Sequence, residues 1–267
     1  MASPEPLTVR SGRVKRARRL ATRRFRDDVG EFLAEGPQAV REALAEPDVV
    51  REVFATADAS RRHPDLREAA DAADVAWTEV DDDVLAEVAD ATTPQGVVAV
   101  CASVVGALAD LPASPRLVVV CHEMRDPGNA GAVVRCADAA GADAVVLTGD
   151  GVDPLNPKAV RATAGSLFHL PVLAHRDHDE VLAALRDRGL QVLATTGAAD
   201  VDLFSPSLDL AAPTAWVMGN EAQGLPDAVV ASADRAVAVP ILGRAESLNL
   251  ATAAAVCLYA SARAQLQ

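Results

Sequence analysis

Aromatic side chains are scarce in this chain. Two Trp, one Tyr and five Phe make up 3% of its 267 residues. That argues against a single-strand nucleic-acid binder resting on stacked aromatic platforms, and leaves the core to Ala, Val and Leu. Long apolar runs are missing as well. The stretch Ala253–Tyr259 falls far short of the ~20 residues that span a membrane. The basic N-terminus has no apolar segment behind it and does not read as a secretory signal. Only four cysteines occur (Cys101, Cys121, Cys136, Cys257), none in a C-x-x-C and each among apolar neighbours. Buried, reduced thiols and a cytoplasmic location are the expectation. The five histidines share no ligand spacing with cysteine or with one another, so no metal site is inferred. The dinucleotide fingerprint G-x-G-x-x-G and the Walker loop are both absent, which counts against a nucleotide-cofactor oxidoreductase and an NTPase.

What is present is an ordinary globular balance, 50% hydrophobic and 24% charged, long enough for one large domain or two modest ones. Net charge is −13, but it is unevenly spread. The first 26 residues carry nine basic side chains and one acid, and the other 241 carry 16 basic and 37 acidic. A basic arm on an acidic body is the electrostatic footprint of polyanion binding; a merely solvated tail is the alternative.

Two α/β regions follow the arm. In the first, Phe32–Leu44 reads as a turn and helix opened by Gly36-Pro37. Strands are expected at Val49–Thr56, Val75–Val80 and Gly96–Val105, with helices at Arg61–Ala73 and Asp82–Ala89. Residues 106–115, with two prolines and no period, read as a linker. From Arg116 short apolar strands (117–120, 144–147, 171–174, 191–195, 214–218, 236–239) alternate with helices (130–140, 158–164, 179–188) and end in a long helix over 247–265. Such a pattern predicts a parallel sheet covered on both faces, with ligands at the carboxyl ends of its strands.

Three post-strand loops carry chemistry. Asp126-Pro127-Gly128-Asn129-Ala130-Gly131 opens a helix that places Arg135 one turn beyond Gly131, with Asn129 as its cap. Met218-Gly219-Asn220-Glu221-Ala222-Gln223-Gly224 is a tight loop able to wrap a flat ligand in backbone groups. Val239-Pro240-Ile241 through Ser247-Leu248-Asn249-Leu250 starts the last helix, with Ser247 readable as its cap and Asn249 less easily explained that way. Each loop alone could be a plain strand-to-helix turn.

In this order DPGNAGAVVR, GNEAQGL and SLNLATAAAVCLY, with KAVRATAGSLFHLP between the first two, resemble the SpoU, or TrmH-type, family of RNA 2′-O-ribose methyltransferases in the SPOUT superfamily. The N-terminal region, including its TTPQGV end, resembles the L30e-like substrate-binding domain of many members. With the basic arm (1–26) and the linker (106–115) already read from charge and composition, the resemblance implies an L30e-like α/β domain (27–105) and a trefoil-knotted α/β methyltransferase domain (116–267). A knot runs against the general rule for protein chains. It implies a homodimer and S-adenosylmethionine as cofactor. By position Thr195, Gly219, Val239, Ile241, Leu248 and Leu250 would line the cofactor, and Asn129, Arg135, Glu221, Ser247 and Asn249 would form the catalytic polar set. Arg16, Arg18, Arg19, Arg23, Arg24 and Arg161 would meet RNA. Ribosomal RNA is the expected substrate; tRNA, or a non-catalytic RNA-binding protein that kept the fold, is the alternative. His169 stands where relatives often have Arg.

Overall fold

The computed structural model describes residues 7–266, which form two compact units. The first comprises residues up to Val104 together with Asp153–Phe168, and the second comprises Val105–Val152 and His169 onward.

In the first unit, α1 (Gly12–Arg19) and α2 (Arg23–Val29) precede β1 (Glu31–Glu35), α3 (Pro37–Ala45), β2 (Val50–Ala55), α4 (Ala57–Arg62), α5 (Pro64–Ala72), β3 (Ala76–Glu79), α6 (Asp82–Val88) and β4 (Val97–Ala102). The strands form a mixed sheet in the order β1-β4-β2-β3, antiparallel except for the β2/β3 pair. From Gly12 onward the basic stretch is no free arm. Val14, Ala17 and Leu20 recur along one face of α1 and its C-cap, and they are buried in a core with Leu33, Phe54, Leu85 and Val98. Arginines occupy the other faces. Arg26 is itself 3% exposed, donating to Asp153 (Nη2 to Oδ2, 2.6 Å; Nε to the same oxygen, 2.9 Å) and to the Leu20 carbonyl (2.7 Å). The start expected as turn and helix at Phe32 is instead strand β1. Four of its five residues are buried and pair with β4, so sheet pairing overrides local preference there.

The segment Asp153–Phe168, assigned from sequence to the second region, packs in the first unit. Its helix α8 (Pro157–Thr163) lies on β1, and Phe168 stacks on Phe32 with centroids 6.1 Å apart. Periodicity reveals that such a helix is covered on one side, not what covers it.

The second unit holds a sheet of parallel strands in the order β11-β9-β10-β6-β7-β8-β5. These are β5 (Val105–Gly106), β6 (Leu117–His122), β7 (Ala144–Thr148), β8 (Val172–His175), β9 (Gln191–Thr195), β10 (Thr214–Met218) and β11 (Arg235–Val237). The helices are α7 (Pro127–Ala139), α9 (His178–Asp187), α10 (Asp227–Ser232) and α11 (Leu250–Gln265). The expected linker is part of this unit: Gly106 pairs with β8, and Leu111 lies in the core with Val118, Val146 and Leu185. Helix α11 packs on α7, β6 and β10 through its small residues Ala251, Ala254, Cys257 and Ser261. That close approach lets Ser261 Oγ accept from the wholly buried Trp216 indole at 3.0 Å. No helix among the described residues is long and apolar enough to cross a membrane.

At the carboxyl ends of β6 and β7, His122 and His178 sit edge-on, ring centroids 4.8 Å apart, and both reach the Thr148 hydroxyl (3.2 and 3.4 Å). Burial pushes both imidazoles below the ordinary histidine range. The neighbouring His122 adds to this at His178, against weaker opposing pulls from Glu123 on the first ring and Asp179 and Asp177 on the second. The folded state then holds fewer protons than the unfolded chain below about pH 6.5, so stability falls as pH drops through that value. The urea midpoint of the wild type should fall between pH 7.5 and 5.5, and His122→Asn/His178→Asn should flatten that fall. An equally steep fall in the double variant would refute the assignment.

Candidate functional site

The three motif loops lie at one end of the parallel sheet, where β6, β10 and β11 deliver their carboxyl ends. The first turns into α7. Asp126, not Asn129, is the cap, its Oδ1 accepting from Asn129 N at 2.8 Å, with Pro127 at the first helical position. This frees the Asn129 side chain for the neighbouring loops. The third loop turns into α11, which begins at Leu250. Its cap is Asn249, whose Oδ1 accepts from Ala251 N (2.9 Å) and Thr252 N (3.3 Å). Ser247, expected as that cap, is exposed two residues upstream.

With its oxygen held by the helix, the Asn249 amide has only Nδ2 to offer. It donates to Asn129 Oδ1 at 2.9 Å, and Asn129 Nδ2 then donates to Glu221 Oε1 at 3.2 Å. Glu221 also accepts from Asp126 N (3.2 Å) and Arg125 N (3.3 Å). Neither amide can flip without setting donor against donor or acceptor against acceptor. A directional relay thus runs from the α11 amides to a carboxylate. The second loop is closed by its own bonds: Asn220 and Gly224 exchange backbone hydrogen bonds (3.0 and 2.9 Å), and Asn220 Nδ2 donates to the Glu123 carbonyl at 3.0 Å. Gly219 is demanded by the protein itself. A Cβ there would come within 2.5 Å of Leu225 N and 2.6 Å of Gly224 O, so any side chain at this position disturbs the loop before it meets a ligand.

Three of the five residues expected as a polar set, Asn129, Glu221 and Asn249, are therefore joined directly. Arg135 is exposed on α7 and makes no hydrogen bond or ion pair among the described residues. Glu221 and Asn249 hold Asn129 and the loops, not the arginine. Ser247 is likewise unbonded among the described residues.

Among the cofactor candidates, Gly219 is buried, Val239 and Leu250 are half-buried, and Ile241 and Leu248 are exposed. Thr195 is turned inward, its hydroxyl donating to the Val217 carbonyl at 3.0 Å. Residues 239–248 make no backbone–backbone hydrogen bond among the described residues. That loop presents free amides and carbonyls beside the exposed apolar side chains of Ile241, Leu242 and Leu248. Unused polar backbone next to bare apolar surface fits a flat heterocycle that needs both edge and face contacts.

Asn249→Asp should separate the relay from the cap. Aspartate caps a helix as well as asparagine, but it turns an acceptor and a charge on Asn129 Oδ1. The Ala251 and Thr252 amides should stay protected from hydrogen exchange while those of Arg125 and Asp126 exchange roughly three- to tenfold faster, the scale of one ordinary hydrogen bond lost. Unchanged protection at Arg125 and Asp126 would show that the relay does not hold the first loop.

Residues 116–259 match the SpoU rRNA Methylase family, and residues 12–99 match the MRM3-like substrate binding domain. The 23S rRNA (guanosine(2553)-2′-O)-methyltransferase RlmP of Bacillus subtilis is 34% identical over 94% of this chain and 96% of its own length. The SpoU methyltransferase AviRb of Streptomyces viridochromogenes, solved with S-adenosylmethionine (AdoMet), superposes with a TM-score of 0.86 at 30% identity, over 97% of this chain and 99% of that one. An AdoMet-bound rRNA methyltransferase from Sinorhizobium meliloti superposes with a TM-score of 0.85 at 30% identity, covering 98% and 99%. With its motif loops joined at the carboxyl ends of a parallel sheet and matched relatives along nearly its whole length, the chain belongs to the SpoU family of RNA methyltransferases.

Proposed function

We propose that the protein transfers a methyl group from S-adenosylmethionine to a ribose 2′-hydroxyl of ribosomal RNA, 23S rRNA by analogy with the RlmP relative. The observation that carries this is the Asn249–Asn129–Glu221 relay, which joins the three motif loops at the helix that also carries Arg135, an arginine with no partner among the described residues. When bound, S-adenosylmethionine supplies a sulfonium methyl. Gly219, Val239, Ile241, Leu248 and Leu250 would hold it, with Thr195 a further contact at the end of its strand.

The chain's own part is position and proton control. Asn129, locked by the relay, orients the ribose. Arg135 grips the phosphate next to it and stabilises the hydroxyl as it loses its proton. A guanidinium holds its protons too tightly to serve as a base, so its role is that of a fixed cation. Ser247, exposed at the mouth of the third loop, is within the same segment and available to substrate.

The position of α11 supports the knotted C-terminus: the chain leaves the sheet edge at β11 and returns to the centre against β6 and β10. A homodimer is supported by exposed apolar surface, Phe204 (67%) and Tyr259 (52%), on a groove shared with Leu203, Leu210 and Val256. Four free cysteines fit a reducing cytoplasm.

The RNA surface includes the outer faces of α1 and α2. Arg16 and Arg18 pair there with Glu31 and Glu87, Arg23 lies 3.8 Å from Asp27, and Arg19 lies over the Phe25 ring. Surface pairs of this kind are worth ~1 kcal/mol or less and yield to phosphate. Arg26, buried against Asp153, is not part of this set.

Arg135→Ala should abolish single-turnover methyl transfer while Arg135→Lys retains a measurable rate with no new pH optimum; S-adenosylmethionine affinity should stay near wild type in both. A rate that climbs through the alkaline range toward ~10.4 in the Lys variant would instead mark the residue as a base. Wild-type turnover in Arg135→Ala would remove this site from the reaction. Neutralising Arg16, Arg18, Arg19, Arg23 and Arg24 should leave cofactor binding intact and make RNA binding less sensitive to salt. The log–log salt slope should shrink by roughly 0.7–0.9 for each phosphate the variant no longer neutralises. An unchanged slope would exclude this face.

A further inference from the structure

The first unit contains a cavity of about 310 Å³ that the methyl-transfer site does not use. Its floor is apolar, formed by Ala39, Val97 and Pro94, and its rim is polar, with Thr93, Gln95 and the guanidinium of Arg161. The size suits one unstacked heterocycle and little more.

The walls are pinned. Glu35, whose side chain is 4% exposed, accepts from the backbone N–H groups of Asp90 (2.8 Å) and Ala91 (3.1 Å), fixing the loop that runs to Gln95. Next to Glu35, Gly36, at φ +90°, donates its N–H to the Val97 carbonyl at 3.0 Å. A Cβ on Gly36 would press on Gln95 Oε1 at 3.1 Å, so the missing side chain is what seats the Gln95 amide at the rim.

Arg161 supplies the specificity. Nη1 donates to Glu35 Oε2 at 3.1 Å and Nη2 to Asp90 Oδ2 at 2.9 Å. Those two bonds hold the planar fork still and use two of its five N–H groups. Three donors are left on a side chain that is 30% exposed and lines the cavity. The two carboxylates already balance its charge, so a phosphate would gain little there and would face Glu35 and Asp90. A neutral group with two adjacent acceptors has no such opposition. Guanine presents such a pair in N7 and O6, which an arginine fork meets with two hydrogen bonds; unpaired cytosine, with O2 and N3, is the other base with adjacent acceptors, on a smaller ring that fills less of the cavity.

We propose that this cavity binds an unstacked guanine base of the substrate RNA, a nucleotide other than the one that is methylated. Recognition of a splayed-out base through its edge and its face is the usual route to sequence preference in single-stranded RNA. The inference rests on the chain's acting on RNA.

The test uses the full-length protein and fluorescein-labelled hexamers of uridine carrying one central guanosine, adenosine, inosine or 7-deazaguanosine. The guanosine hexamer should bind about tenfold more tightly than the adenosine or all-uridine hexamer, the scale of one bidentate arginine–guanine contact. Inosine, which keeps N7 and O6, should retain the preference, and 7-deazaguanosine should lose it. Arg161→Lys should bind all hexamers alike, and Thr93→Trp, at an exposed rim position, should do the same by blocking the mouth. Equal affinity of the wild type for all hexamers, or a preference that survives Thr93→Trp, overturns the proposal; the deaza substitution decides the matter even if a protein variant misfolds. S-adenosylmethionine binding and methyl transfer to 23S rRNA are measured on the same wild-type preparation. If both are present without a guanine preference, the cavity assignment alone fails; if both are absent, the functional reading fails with it.

Discussion

The capping of α11 by Asn249 is the bond on which the site depends. A helix start leaves amides that need an acceptor, and Asn249 Oδ1 meets two of them. Because that oxygen is committed, the direction of every later bond is decided: Nδ2 to Asn129, Asn129 to Glu221, and the first-loop amides to the same carboxylate. The energy is modest at each link. The ordering is large, because loops as far as 120 residues apart in sequence are placed by one helix terminus. An aspartate cap would satisfy α11 equally well and break everything downstream, which is a physical reason for asparagine at this position.

The same economy appears in the packing beneath. Small residues on α11 allow it to lie close on β6, β10 and α7, and that closeness brings Ser261 to the Trp216 indole. The residues that bury the helix also set the height at which its N-terminus reaches the loops.

The motif loops were legible in the sequence because glycine and asparagine straight after an apolar strand are costly unless something needs them. The parallel sheet was legible from its short apolar strands. Which residue caps which helix was not. Asp126 and Asn129 are both good caps, as are Ser247 and Asn249, and only the partner across the loop decides between them. Helix α1 was hidden by composition: its buried face is three residues, Val14, Ala17 and Leu20, in a stretch dominated by arginine. Strand β1 was hidden by brevity. The role of Arg26 was hidden because a buried arginine looks like its exposed neighbours until its carboxylate partner, 127 residues away, is placed.

The return of residues 153–168 to the first unit has a consequence for how this chain can be inherited. The polypeptide leaves that unit after Val104, comes back at Asp153 and leaves again after Phe168. A single recombination point near residue 105 would transplant the first unit without the helix that covers β1 and without the carboxylate that neutralises buried Arg26. An unpaired charge at 3% exposure is strongly destabilising, on the order of 3–5 kcal/mol. Exchange between relatives is therefore productive only when both pieces travel together or when the incoming methyltransferase half brings its own matching helix and acid. The two halves are bound to evolve as a pair.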